Sequence, residues 1–235
     1  MTYAISDLHG CYDQYMQMLG KISFSDCDML YVLGDVVDRG PEPIKLLRDM
    51  SMRANVIPVL GNHDQIAYTT LQQLLFEFTE ENIKKHFGGE LMNFFQNISN
   101  WTEIGGKPTL EGFGALPMDE REYIIEYLLE FSLYEAIKVN GKNFILAHSG
   151  LPEGATLSNL GSFDTYDFVT AVTDYNKEYF SDIFLVTGHL PTMGIDEEYR
   201  GRIYRANNHI AIDTGAVFGE RMGCICLDTD EEFYV

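Results

Sequence analysis

Positive charge is scarce in this chain. Lys and Arg number 16 against 36 Asp and Glu, a formal net charge of −20 over 235 residues. Such a field repels nucleic acid and anionic membrane surfaces, so neither is expected as a partner. It also repels anionic substrates at long range, unless bound cations reverse the local potential. Long apolar runs are missing too, and none reaches the length of a membrane span. Met1 to Asp7 has no basic flank and no cleavable apolar stretch, so no secretory signal is expected. Cysteine is sparse: Cys224 and Cys226 alternate on one expected strand, while Cys11 and Cys27 stand singly. That is no disulfide framework, and reduced thiols in a cytoplasm are the simplest reading. Repeats, linkers and low-complexity segments are absent. One domain over 1–235, with 46% apolar residues, has room for a real core.

What is present is a set of apolar strands, each followed by a polar residue. The central one runs from Met29 to Leu33 and reads as a buried parallel strand. It ends in Gly34-Asp35-Val36-Val37-Asp38-Arg39-Gly40. Two carboxylates and an arginine at a strand end suggest a cation site beside an anion site, at the edge where open α/β sheets bind ligands. Thr2 to Ser6 reads as a strand before Asp7-Leu8-His9-Gly10, and Val56 to Leu60 as one before Gly61-Asn62-His63-Asp64. Pro58 in a buried strand is awkward, and an irregularity is expected there. Glu135 to Val139 and Asn143 to Ala147 flank an Asn140-Gly141 turn, and the second ends in His148-Ser149-Gly150. Ile183 to Val186 ends in Thr187-Gly188-His189. Short strands are expected at Arg202 to Arg205, His209 to Ile212, Met222 to Leu227 and Glu232 to Val235.

Residues 12–20 read as a helix with Tyr12, Tyr15, Met16 and Leu19 on one face. Pro41 or Pro43 opens another through about Met50, with Ile44, Leu47 and Met50 inward. Residues 64–130 read as a mostly helical insertion between ligand-bearing strands, a candidate lid or specificity wall. Gly105 to Pro108 and Gly112 to Pro117 break it, and Asp119 is expected to cap a helix carrying Tyr123, Ile124, Tyr127 and Leu128. Trp101 with Phe76, Phe78, Phe94 and Phe95 is expected to be core of this region rather than a base-stacking platform. His86 reads as surface, and Tyr166, Tyr175 and Tyr179 as core or rim.

Five strands thus end in a potential metal ligand: Asp7 and His9, Asp35, Asn62 with His63 after it, His148, and His189. Singly, a buried histidine is more often a hydrogen-bonded core residue, and an aspartate after a strand a helix cap. Recurrence at one edge, nearly always behind Gly or Ser, favours metal instead. The oxygen and imidazole mixture suits Mn, Fe or Zn. The ligands are too many for one tetrahedral ion. Asp35, with its central place, could bridge two ions about 3.5–4 Å apart.

These blocks, Ser6 to Gly10, Gly34 to Gly40, Gly61 to Asp64, His148 to Gly150 and Thr187 to His189, resemble the ordered signatures of calcineurin-like metallophosphoesterases. The branch is that of the Ser/Thr phosphoprotein phosphatases, including bacterial and phage members and diadenosine tetraphosphatase. Ile212 to Gly219 resembles their C-terminal block. The resemblance implies an α/β fold, a β-sandwich of two mixed sheets flanked by helices. It implies one ion on Asp7, His9 and Asp35 and another on Asp35, Asn62, His148 and His189, with Mn first and Fe or Zn as alternatives. It makes His63 the acid for the leaving alkoxide, oriented by Asp38, and Arg39 with Asn62 the phosphate clamp. A metal-bridging hydroxide would attack phosphorus in line, with no phosphoenzyme.

The implied activity is a phosphomonoesterase, a Ser/Thr-type protein phosphatase acting on a phosphorylated protein or small phosphoester. The alternative is a hydrolase of dinucleoside polyphosphates, for which the 64–130 insertion would supply a second nucleoside pocket. A metal-binding pseudo-enzyme would lack His63, Asp38 or Arg39 while keeping the ligands, and all three are present. Ser6 and Asp64 replace the usual Gly and Glu. Protein phosphatases also place a second phosphate-binding arginine between the late histidines, where residues 149 to 188 hold only Lys177 as a basic residue. Arg221 is the first candidate to substitute, ahead of Lys177, Arg202 and Arg205. His209, near the Asp213 block, is a weaker candidate for the site.

Overall fold

The structure, a computed structural model, describes residues 1–76 and 79–235. Phe78, expected in the core of the helical region, lies outside the described residues. Strands β1 (Thr2–Ile5), β2 (Met29–Leu33), β3 (Val56–Val59), β4 (Tyr134–Val139), β5 (Lys142–Ala147), β6 (Ile183–Thr187), β7 (Tyr204–Ala206), β8 (His209–Ala211), β9 (Gly223–Cys226) and β10 (Glu232–Tyr234) form two mixed sheets. The first has the order β10-β9-β1-β2-β3 and the second β4-β5-β6-β8-β7.

Period-two alternation assigns each strand two jobs. Ala4, Leu33 and Val59 of the first sheet meet Phe144, Leu146, Val186 and Ile210 of the second, which makes the core between the sheets. Ile5, Leu30 and Val32 face the other way, against helices α1 (Tyr12–Lys21) and α2 (Pro43–Ser51). Helix α1 buries Tyr15, Met18 and Leu19, so Met16, expected inward, instead points to solvent. Helix α2 buries Ile44, Leu47 and Met50 as its spacing requires.

Pro58 stays in regular register with Val32. No irregularity is needed, because β3 is the outer strand of its sheet. The Pro58 carbonyl and the Leu60 N–H turn outward to Ser132, so the missing proline N–H faces the edge. The Asn140-Gly141 turn has φ of 47° and 85°, the left-handed pair that a tight hairpin needs.

Between β3 and β4 the chain runs through α3 (Asn62–Leu71), α4 (Glu80–Phe87), α5 (Leu91–Trp101), α6 (Lys107–Gly114) and α7 (Met118–Leu129). The break expected from Gly112 onward comes later, since α6 continues to Gly114. Asp119 lies inside the first turn of α7 and not at its cap, which is Pro117. Ile124, Tyr127 and Leu128 are buried there, while Tyr123 is exposed. Among the described residues, no helix is long and apolar enough to cross a membrane. All four cysteines are free.

The feature that matters for function is polarity of direction. β1, β2 and β3 are mutually parallel, and so are β5, β6 and β8. Their C-terminal ends meet. Asp7 N–H donates to the Gly34 carbonyl, Gly188 N–H to the His148 carbonyl, and His148 Nδ1 to the Leu33 carbonyl.

Candidate active site

Each parallel strand delivers a polar side chain to this shared edge. β1 gives Asp7 and His9, β2 gives Asp35, Asp38 and Arg39, and β3 gives Asn62 and His63. β5 gives His148, β6 gives His189 and β8 gives Asp213. The turns that follow are tight. Asp7, His9, Asp35, Asp38, Arg39 and His189 have φ between 41° and 71°. Asp and His tolerate this region better than most side chains, but Arg39 does not, and such clustering marks a site held in place by its surroundings. Gly34 shows why a glycine precedes Asp35: a Cβ there would lie 2.4 Å from His148 Nδ1.

Two histidines have fixed tautomers. His9 Nδ1 donates to the Val37 carbonyl at 2.8 Å, and His148 Nδ1 donates to the Leu33 carbonyl at 2.9 Å. His9 therefore turns the lone pair of Nε2 inward, where the Arg39 guanidinium meets it, and His148 also turns its Nε2 inward. His148 Nε2 lies 3.0 Å from Asn62 Oδ1, 3.2 Å from His189 Nδ1 and 3.4 Å from Asp35 Oδ1. His189 Nδ1 is also 3.0 Å from Asn62 Oδ1. Asp35 Oδ1 also accepts the His63 backbone N–H at 2.9 Å. Asp35 Oδ2 approaches His9 Nε2 at 3.5 Å. Ligand atoms of His9, Asp35 and His63 lie within 4.8 Å of one another, as do those of Asp35, His148 and His189. Asp35 belongs to both groups, so the residues fit divalent cations on either side of it.

Electrostatics point the same way. Asp7 is buried, and its carboxyl is pushed well above the usual range by burial first, then by Asp213 and Asp35. Asp213 rises to about 7, again by burial first, with Asp35 adding to it. Asp35 itself resists burial through the charges of His148, His9 and His63, and falls to about 2. His9 is lowered to about 4 by burial, which leaves a neutral ligand nitrogen at pH 7. His189 stands at the exposed rim, yet loss of water around its inner edge and the neighbouring His148 lower it to about 4 as well. Carboxylates buried this close together cost roughly several kcal/mol per ion unless positive charge compensates them.

Asp7 stands one step back from both groups, with Oδ2 accepting from His189 N–H at 3.0 Å. Asp64, substituted in its block, is fully buried and clamps backbone. Its two oxygens accept from Val36 N at 2.9 Å, Val37 N at 3.2 Å and Gly61 N at 3.1 Å.

A second constellation adjoins the first. His63 Nδ1 and Asp38 Oδ2 are 2.7 Å apart, both buried. Burial works to lower the His63 pKa, but the Asp38 hydrogen bond and the charge of Asp35 outweigh it and leave it raised. The exposed Arg39 guanidinium lies across both imidazoles, with Nη1 2.5 Å from His9 Nε2 and Nη2 2.9 Å from His63 Nε2. Phe218 completes the rim. Its ring centroid is 5.4 Å from Arg39 Cζ, and 54% of its surface is exposed.

The site gathers Asp7, His9, Asp35, Asp38, Arg39, Asn62, His63, His148 and His189. Arg221 is not among them. Its Nη2 donates to the Gly201 carbonyl at 2.9 Å, and its guanidinium covers the Tyr234 ring. The alternatives fare no better: Lys177 covers Tyr179, Arg205 pairs with Glu232, and Arg202 is exposed. His209 is buried against Thr187 and stacked on Tyr175. Sequence reasoning missed Asp213, although both its strand and the Ile212 to Gly219 block were in view, because only the pairing of β8 with β6 brings that strand end to the shared edge. It also missed Trp101 and Thr109, whose contacts with Asp38 join positions 63 and 71 residues apart.

A family model for calcineurin-like phosphoesterases matches residues 2–213. The symmetrical bis(5'-nucleosyl)-tetraphosphatase of Neisseria gonorrhoeae is 25% identical over 264 aligned positions, covering 97% of this chain and 93% of that protein. The asymmetrical bis(5'-nucleosyl)-tetraphosphatase of Oceanobacillus iheyensis is 24% identical, covering 93% of this chain and 85% of the relative. A solved structure described as a candidate diadenosine tetraphosphatase superposes with a TM-score of 0.64 at 18% identity, covering 100% of this chain and 92% of that one. At that identity the superposition speaks for the fold of two mixed sheets flanked by helices.

Proposed function

We propose that this chain, which belongs to the calcineurin-like phosphoesterase family, is a metal-dependent hydrolase of dinucleoside polyphosphates. The observation that carries the hydrolase reading is the pair of ligand groups sharing Asp35. One ion would be held by Asp7, His9 and Asp35, and the other by Asp35, Asn62, His148 and His189. When bound, such ions lower the pKa of a water and neutralise phosphoryl charge.

The chain's own residues do the rest. His63 would present Nε2 to the leaving oxygen once the Arg39 guanidinium, 2.9 Å from it in the structure, has turned aside, while Asp38 holds Nδ1 and favours the protonated imidazole. The lone pair of His9 Nε2 can serve one partner at a time. With that lone pair given to a cation, the Arg39 guanidinium would be free to turn its planar fork onto phosphoryl oxygens.

Two observations favour the dinucleotide over the phosphoprotein that the sequence put first. Relatives that match nearly the whole chain carry the tetraphosphatase name. Phe218 also offers an exposed ring beside the phosphate-binding arginine, where a nucleobase attached to that phosphate could stack.

The test compares turnover of diadenosine tetraphosphate and a phosphoserine peptide with added Mn²⁺, and with the ions stripped by a chelator. The dinucleotide is expected to be the better substrate, with no turnover in the chelator. A faster phosphopeptide overturns the substrate assignment, and turnover that survives chelation overturns the metal requirement.

A further inference from the structure

The carboxylate that orients His63 is held from outside its own loop. Asp38 is completely buried. Its Oδ2 accepts from Trp101 Nε1 at 2.7 Å as well as facing His63 Nδ1 at 2.7 Å. Its Oδ1 accepts from Thr109 Oγ1 at 2.6 Å. The same Thr109 hydroxyl oxygen accepts the Asp38 backbone N–H at 2.9 Å. One threonine thus fixes both the main chain and the side chain of Asp38, at a residue whose φ is +71°. Next door, the Arg39 N–H donates to the Gly105 carbonyl at 2.8 Å.

These contacts come from the end of α5, the start of α6 and the kink between them. The kink is built for close approach. Gly105 has φ +117°, and a Cβ there would lie 2.6 Å from Arg39 Cγ. A Cβ on Gly106 would lie 2.4 Å from the Trp101 ring. Trp101 and Thr109 are both buried, so water does not compete for these bonds. A carboxylate with three side-chain donors in fixed directions cannot rotate to follow its histidine. The histidine must instead take the direction the carboxylate dictates.

We propose that Trp101 and Thr109 are positioning residues for proton donation by His63, acting through Asp38. The helical segment expected to be a lid is, on this account, part of the acid machinery. The proposal rests on His63 being the acid of the reading above.

The test uses aryl phosphates whose leaving phenols differ in acidity, since a proton donor matters most for the poorer leaving group. Trp101→Phe and Thr109→Val are compared with wild type on p-nitrophenyl phosphate and phenyl phosphate, with metal content measured for each. Each variant is expected to lower kcat for the phenyl ester about tenfold more than for the p-nitrophenyl ester, with KM and bound metal unchanged. Thr109→Ser, which keeps the hydroxyl, should restore the wild-type ratio. In a His63→Asn background neither variant should change the ratio further. Equal slowing of both esters would mark a merely structural role and overturn the proposal, as would an effect that adds to that of His63→Asn. If His63→Asn itself leaves the ratio unchanged, the acid role fails, and that failure is separate from this one. Should Trp101→Phe not fold, the Thr109 pair alone decides.

Discussion

On the side of the first sheet, Asp38 is saturated with donors from His63, Trp101 and Thr109. On the other side of Asp35, Asn62 from the first sheet and His148 and His189 from the second bring ligand atoms within 3.0 to 3.2 Å of one another. The first arrangement is complete as it stands and resists movement. The second gathers oxygen and nitrogen ligand atoms with no Lys or Arg among them. A saturated carboxylate is suited to fixing a proton's direction, and a ring of ligand atoms to holding a cation. Asp35 joins the halves, with one oxygen toward His9 and the other toward His148. The halves also differ in exposure, since Asp38 is sealed under the helical segment while His189 stands at the rim.

The comparison can be broken most severely at the shared residue. Asp35→Asn should abolish activity and empty both ion sites, as metal analysis of the purified variant would reveal. Wild type should also gain thermal stability with Mn²⁺, roughly 5–10 °C at a hundredfold excess over Kd, because ions bind only the folded state. The variant should gain none, and a variant that keeps two ions would contradict the bridge. His63→Asn attacks one half alone. It should lower kcat by about 10²- to 10⁴-fold while both ions remain bound, and parallel loss of metal would refute the separation of roles. Phe218→Ala probes the rim: KM for diadenosine tetraphosphate should rise on the order of tenfold, and KM for p-nitrophenyl phosphate should hardly move. Arg221→Ala should change either KM less than about twofold, because its guanidinium is engaged with Gly201 and Tyr234.

Much of this was legible beforehand, for a physical reason. A parallel strand must be apolar along its length, and its ligand must follow a tight turn. So Met29 to Leu33 followed by Gly34-Asp35 identifies itself, as do the ends of β1, β3, β5 and β6. Local rules failed where geometry is non-local. Asp213 follows a strand that was expected, but its place beside β6 is set by pairing between distant segments. Thr109 reads as an ordinary helix position, and Trp101 as core, which it is; only the fold reveals that its indole N–H faces a carboxylate. Arg221 was chosen because an arginine seemed needed, and residue type alone cannot say which surface an arginine covers. The substrate was the least legible feature. The same blocks serve protein phosphatases and tetraphosphatases, and what separates them lies at the rim rather than among the ligands.

The most direct measurement is anomalous diffraction from crystals soaked in Mn²⁺. The account predicts two peaks flanking Asp35, one beside His9 and Asp7 and the other among Asn62, His148 and His189. A single peak away from Asp35, or none at full Mn²⁺ saturation, would contradict it.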